Sequence, residues 1–98
     1  MKAFDAVGRE IKSDDYIVYA AIDCDSAVLR FGQVKSIVPV PAFGGVKIKI
    51  KAKAAYRGYN WETKESDVWT RQKDVTLAFP SRISVIDNPP SELRAILQ

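Results

Sequence analysis

The sequence predicts a mainly β protein, a small five-stranded barrel with a long inserted connection and a short C-terminal helix. Three observations predict this fold class. Short runs of β-branched and aromatic residues are separated by turn-forming residues along most of the chain. Residues 46–53 alternate apolar side chains with lysine, which is the period of a half-buried strand. Gly32 lies inside another such run, where it marks the bend or bulge that a small barrel needs.

The length and composition predict one domain over residues 1–98. A chain of 98 residues is long enough to bury one core and too short to divide into two. Its apolar runs, such as residues 37–43, are short and broken by proline, so we expect no membrane span. The first residues lack the apolar stretch of a secretory signal, and Cys24 has no second cysteine to pair with. These features predict a cytoplasmic protein.

The first three strands of the predicted barrel lie between clear turn signals. Residues 16–20 follow two aspartates and form the first strand, residues 21–27 have the composition of a loop, and residues 28–37 form the second strand. Two prolines, which cannot donate ladder hydrogen bonds, predict that this strand ends near Val38. Two consecutive glycines then supply a tight turn, and residues 46–53 form the third strand.

The second half of the chain is less regular. Residues 54–74 lose the strand period and predict a long connection, which is either a hairpin excursion or a partly mobile segment. Residues 75–79 and 82–86 predict the fourth and fifth strands, separated by a proline and a serine. An asparagine followed by proline then begins a helix over about residues 89–97, which we expect to cover one end of the barrel.

The order and lengths of these elements resemble the Src-homology-three-like small barrel, and most closely its KOW and Tudor types. Residues 11–18 resemble the first strand of those barrels, and residues 32–37 resemble their glycine-valine-isoleucine strand. There are two departures from the pattern. Asp14 occupies a position where many such barrels have glycine, and the connection at 54–74 is longer than their usual turn.

The chain is also similar to small uncharacterised proteins of tailed phages. The similarity lies in three segments, residues 15–20, 29–34 and 75–83, and it covers more of the chain than the barrel pattern does. This resemblance implies no assigned activity. It implies a non-enzymatic role in the cytoplasm of a host cell.

The sequence lacks the residues that most catalytic and metal sites use. Histidine is absent and Cys24 is the only cysteine, which removes the usual zinc ligand sets and every imidazole base. The closely spaced aspartates at 14–15 and 23–25 have no recognised ligand spacing, and turn formation explains them more simply. We therefore expect no catalytic residue, no metal site and no cofactor.

The most suggestive surface combines the lysine-bearing strand with a basic and aromatic segment. Lysines two residues apart on a strand stand about 6.6 Å from one another, a spacing that can follow a phosphate backbone. In the neighbouring segment, rings that could stack on unpaired bases are interleaved with cations that could hold phosphates. The candidate nucleic-acid-binding residues are Lys47, Lys49, Lys51, Lys53, Tyr56, Arg57, Tyr59, Trp61, Trp69, Arg71 and Lys73.

Both parts of this surface have structural explanations as well. Lysines keep an exposed strand soluble and stop it from pairing with another chain. Trp61 and Trp69 could pack across a hairpin or into the end of the barrel, as large aromatic residues in small domains often do. The same tryptophans would also suit the centre of a protein interface.

We therefore expect a non-catalytic binding module that holds single-stranded or structured nucleic acid. The alternative is a protein-interaction adaptor, either a phage factor that docks on a host protein or a chain that self-associates by sheet-edge pairing. The net charge of +3 permits an anionic partner without requiring one. We expect no membrane contact and no small-molecule substrate.

Overall fold

The computed structural model describes residues 2–98, the side chain of Asp23 excepted, and places most of them in β-strands. The strands are β1 (Ala3–Phe4), β2 (Glu10–Ile11), β3 (Tyr16–Asp23), β4 (Ser26–Ala42), β5 (Gly45–Asn60), β6 (Glu65–Leu77) and β7 (Ile83–Ile86). A 3-10 helix at Pro80–Arg82 precedes β7, and the helix α1 (Ser91–Leu97) follows it. The predictions of a mainly β fold and a short C-terminal helix are confirmed.

Five strands form one antiparallel sheet in the order β6-β5-β4-β3-β7, while β1 and β2 form a separate two-stranded ladder. The predicted closure into a barrel is not confirmed, because β6 and β7 lie at opposite edges of this sheet. β7 has four residues and β6 has thirteen. The free edge of β7 is therefore too short to pair along the length of β6.

The strands β4 and β5 extend past their neighbours and form a two-stranded arm. β3 pairs with β4 only as far as Gln33, and β6 pairs with β5 only as far as Ile50. Beyond these points, β4 and β5 continue to pair with each other up to their turn, so residues 38–49 form a ribbon without a third strand. We call this ribbon the arm.

The arm contradicts the prediction that the second strand ends near Val38. β4 continues to Ala42 through both of its prolines, Pro39 and Pro41, which lie opposite Ile48 and Val46 of β5. A proline removes a ladder hydrogen bond only where its nitrogen would face a neighbouring strand. In the arm, one side of β4 has no neighbour, so the prolines can be accommodated there.

Gly32 is required for a different reason from the one the sequence predicted. It pairs in regular register with Ile17 on one side and Ala54 on the other, and the irregularity of β4 lies further on, between Val34 and Ser36. A Cβ atom added at Gly32 would lie 2.4 Å from the carbonyl oxygen of Lys53. The glycine therefore permits a close approach of two backbones.

The predicted connection at 54–74 is a β-hairpin of the main sheet rather than an insertion. β5 continues to Asn60, and β6 returns from Glu65, so these residues extend two strands of the main sheet. The register shifts twice along this pair, between Ala52 and Ala54 and between Gly58 and Asn60. Each shift adds a residue on the β6 side, which breaks the alternation of side chains that identifies a strand in the sequence.

Apolar clusters cover both faces of the sheet. The larger cluster includes Ile17, Val34, Ile50 and Ala52, and the β1–β2 ladder packs over it. The smaller cluster lies on the opposite face and is completed by α1; its buried members are Ala55, Leu93 and Leu97. The helix therefore packs on one face of the sheet, and the expectation that it covers a barrel end is wrong.

The N-terminal segment is joined to β7 through the carboxylate of Asp5, which is buried. One carboxylate oxygen accepts the N–H groups of Val7 at 3.0 Å and Arg9 at 2.8 Å. The other accepts the N–H of Val85 at 2.9 Å. The carboxylate of Asp5 thus accepts hydrogen bonds that a paired strand would otherwise accept, at the point where the chain passes from β1 to the main sheet.

Candidate nucleic-acid interface

The predicted lysine face is present on β5. Lys47, Lys49, Lys51 and Lys53 occupy alternate positions along this strand, which pairs with β4 throughout. Their even-numbered neighbours Ile50 and Ala52 belong to the larger core cluster. Because successive side chains of a strand point to opposite faces, the four lysines lie on the opposite face from that cluster. We call them the lysine row.

The lysine row has no acidic partner in the part of the chain that the structure describes. The ion pairs there join Arg9 to Asp87, Lys35 to Asp74 and Arg71 to Asp74. None of these pairs includes a member of the row. The four ammonium groups therefore remain available for an anionic partner.

Arg71, predicted as a binding residue, is held by the fold. Its guanidinium donates to the carbonyl oxygens of Ala54, at 2.9 Å, and Gln72, and to the carboxylate of Asp74 at 3.0 Å. Lys35 also donates to Asp74, at 2.8 Å, so this carboxylate joins β4 to β6 across β5. The hydrogen bonds from Lys35 and Arg71 hold the pKa of Asp74 below its ordinary value. Arg71 is therefore part of the link between strands.

Tyr56 lies on the face of β5 away from the lysine row. The guanidinium of Arg30 stands over its ring, 5.3 Å from the ring centroid. Together with Tyr59 and Trp61, these two residues help to line a recess of about 520 Å³ near the end of the β5–β6 hairpin. We call this the aromatic recess.

Trp61 is the most exposed ring of the aromatic recess, with 80% of its surface accessible. It packs edge to face against Tyr59, with a centroid separation of 4.7 Å. The neighbouring turn and the start of β6 are acidic on balance, because the exposed side chains of Glu62, Glu65 and Asp67 outnumber that of Lys64. This end of the hairpin therefore suits phosphate poorly.

Trp69 has the structural role that the sequence left open as an alternative. It packs edge to face on Phe31, with centroids 5.1 Å apart, and contributes to the cluster under α1. It also lines a groove of about 670 Å³ between the helix and β6, together with Arg57, Glu92 and Ile96. This mixture of one cation, carboxylates and apolar side chains does not resemble a phosphate site.

The eleven predicted residues therefore do not form one surface. The lysine row lies towards the arm, whereas the aromatic recess lies at the other end of β5, where Tyr56 points to the opposite face from the row. Arg57 and Trp69 flank α1, while Lys73 lies on β6 beside a register shift. The sequence could not place Arg30, because its contact with Tyr56 depends on pairing between distant strands.

Phe43 was also missed as a functional candidate. It forms the turn at the end of the arm together with Gly44, and its side chain is fully exposed. Gly44 and Gly45 have positive φ, 84° and 145°, which identifies the turn from the residue type. An aromatic residue directly before a glycine pair was the available signal.

Two of the four closely spaced aspartates have turn conformations, while Asp23 is the last residue of β3. Asp14 and Asp25 have positive φ angles of 70° and 68°, and Asp15 accepts the N–H of Lys12 at 2.8 Å. Cys24, also at positive φ, is exposed in the turn between β3 and β4. The described residues contain no cluster of three acidic, cysteine or histidine side chains suited to a metal ion.

The helix α1 is far too short to cross a bilayer, and no described helix has the length and apolarity of a membrane span. In comparisons with protein-family models, with curated proteins and with solved structures, nothing matches this chain.

Proposed function

We propose that this protein binds nucleic acid through the lysine row. The observation that carries the proposal is the row itself: four lysines at alternate positions on one face of one strand, with no ion pair to any described residue. Cations in such a row can neutralise successive phosphates and release the counterions condensed on them. Binding of this kind depends on backbone charge and does not require a particular base sequence.

The distribution of charge along the chain supports the proposal more strongly than the net charge of the whole chain does. β5 contains four lysines and Arg57 and no acidic residue, whereas the whole chain has a net charge of only +3. The remainder of the chain is therefore slightly acidic. A concentrated patch on a nearly neutral protein directs an anionic partner to one place.

Protection of a sheet edge does not explain the whole lysine row. Lysines on an edge strand prevent pairing with another chain, and Lys47 and Lys49 lie on the arm, where that explanation holds. At Lys51 and Lys53, however, β5 is not an edge strand, because it lies between β6 and β4 in the sheet. Edge protection therefore does not account for those two.

The experiment is a binding titration with a labelled mixed-sequence oligonucleotide at low salt. A variant with Lys47→Gln, Lys49→Gln, Lys51→Gln and Lys53→Gln should lose most of the affinity. A matched control removes the same number of charges elsewhere, through Lys2→Gln, Lys12→Gln, Lys64→Gln and Arg94→Gln. Equal losses in both variants would refute a localised site, and undetectable binding by the unmodified protein would refute the function.

A second candidate function is that of an adaptor which binds a protein through the aromatic recess. Trp61 and the neighbouring Leu29 are exposed at 80% and 64%, and exposed tryptophan, tyrosine and arginine are typical of interface centres. Trp61→Ala should then abolish retention of a partner from nuclease-treated lysate, and the lysine variant should keep it. Loss of the partner in the lysine variant alone would contradict this candidate.

We also propose, from the sequence resemblance, that the chain is related to KOW and Tudor barrels and to tailed-phage proteins acting in a host cytoplasm. The curl of the sheet supports the first of these relations. Tyr19 and Ala21 of β3 line one recess with Gln72 and Val75 of β6, although two strands separate β3 from β6. Further curling in this direction would bring β6 towards β7.

A further inference from the structure

The arm has the form of a narrow, basic β-ribbon. Its strands pair only with each other, and Lys47 and Lys49 lie opposite Val40 and Val38 on one of its faces. Paired strands are about 4.8 Å apart, and five residues of each extend about 17 Å. The arm is therefore a narrow ribbon that packs against the larger core cluster through Ile48, and its cations begin close to its tip.

Phe43 has no structural role that would explain its place at this tip. Its side chain is fully exposed, and it belongs to neither apolar cluster. An isolated two-stranded hairpin is only marginally stable in water, so an aromatic ring with no packing partner adds nothing to the arm. Its position indicates contact with something outside the chain.

We propose that the arm enters the minor groove of duplex DNA and that Phe43 inserts between base pairs as a wedge; this rests on the proposed function of the lysine row. Strand readers of DNA lie in either groove, and the apolar ring at the tip of the arm is what favours the minor groove here. Proteins that bind there often insert an apolar side chain between base steps and kink the duplex. Lys47 and Lys49 then meet the phosphates that border the groove.

The arrangement of the other rings favours a duplex over a single strand. Single-strand binding uses several exposed rings beside the cations, each stacked on one base. Here Tyr56 and Trp61 line the aromatic recess at the end of β5 opposite the arm, and Trp69 packs under α1. Phe43 is a fully exposed ring at the tip of the arm that carries Lys47 and Lys49, which suits a single wedge.

Fluorescence energy transfer between dyes at the two ends of a duplex of about 25 base pairs tests the proposal, because a kink shortens the end-to-end distance. The unmodified protein should raise the transfer efficiency. Phe43→Ala should abolish that rise and weaken duplex binding about tenfold, since the wedge contacts are lost. Phe43→Leu should keep part of the effect, because leucine can also act as a wedge. Phe4→Ala, which removes a half-exposed ring far from the arm in sequence, is the matched control.

The remaining outcomes separate this inference from the proposed function. Salt-dependent duplex binding without a kink, or with a kink that Phe43→Ala leaves unchanged, would overturn the inference while the function stands. Equal affinity for a single strand of the same length would also overturn it. Absence of any salt-dependent binding would overturn both. If Phe43→Ala instead changed only the sedimentation of the free protein, the arm would be a contact between copies, and the wedge would be refuted.

Discussion

Replacing Asp5 by asparagine tests how the N-terminal segment is joined to the sheet. The carboxylate accepts three backbone N–H groups at 2.8 to 3.0 Å, two on one oxygen and one on the other. Asparagine keeps one acceptor oxygen and places its NH₂ group against the third donor, the N–H of Val85. The loss of one charge-assisted hydrogen bond beside a buried donor should destabilise the fold by about 2–3 kcal/mol. Asp5→Ala removes all the acceptors and should destabilise it further.

Asp5 also couples stability to pH. Burial of the carboxylate raises its pKa, but the hydrogen bonds from Val85, Arg9 and Val7 outweigh burial and leave the pKa of Asp5 below its ordinary value. Because the folded-state pKa is the lower one, the unfolded chain takes up the proton first as the pH falls. The stabilisation is thus fully present above the unfolded value of about 3.9 and is lost as the pH falls through the folded-state pKa.

Urea unfolding at pH 7 and at pH 3 measures both effects. The unmodified protein should lose more stability between these pH values than Asp5→Asn does, because the variant lacks one carboxylate whose folded-state pKa is lowered. Both proteins will still lose some, since hydrogen bonds also lower the pKa of Asp74 and of Asp87. Equal free energies of unfolding for the two proteins at pH 7 would refute the reasoning about Asp5.

Three further predictions concern the lysine row and the two core faces. The logarithm of duplex affinity should fall with that of salt with a slope of about −3 to −4 if all four lysines contact phosphates, and each Lys→Gln change should reduce the slope by about 0.9; a slope unaffected by the substitutions would exclude the row. Gly32→Ala should destabilise the fold by at least about 2 kcal/mol in urea unfolding, because its Cβ would meet the Lys53 carbonyl oxygen at 2.4 Å. Leu97→Ala should cost about 2–5 kcal/mol by the same measurement, and its exposed neighbour Gln98 should tolerate alanine; comparable losses at both would contradict packing of α1 on the sheet.

The regular parts of the fold were predictable because their signals are local. The alternation at 46–53 identifies both the strand and its lysine face, since side chains alternate between faces with a period of two. Asn88 and the prolines after it predict a helix start near residue 89; α1 begins two residues later, at Ser91, and its N-cap is Pro90 rather than Asn88. These signals depend only on residues that are neighbours in the sequence, so they do not change with the fold of the rest of the chain.

The longer hairpins were not predictable because they depend on which strands lie beside them. The prolines at 39 and 41 indicate a strand end when both sides of β4 are assumed to be paired, and only the strand order shows that one side is open. In the same way, the extra residues on β6 interrupt the alternation of side chains, so the sequence pattern indicates a connection where the structure has a strand. The open sheet likewise depends on a mismatch in strand length, because β7 is about as short as predicted whereas β6 extends back to Glu65, well before the predicted strand at 75–79.

The error at 54–74 also determined the shape of the predicted site. In an irregular connection, Tyr56 could have turned to lie beside Lys53, and one ligand could have contacted both. Because β5 continues as a strand, residues three positions apart point to opposite faces, and Tyr56 packs under Arg30 instead. A ligand bound flat on the lysine row would therefore not contact the ring of Tyr56. The same strand therefore contributes to two chemically different surfaces, one basic and one aromatic. The binding of a partner to each surface has to be tested separately.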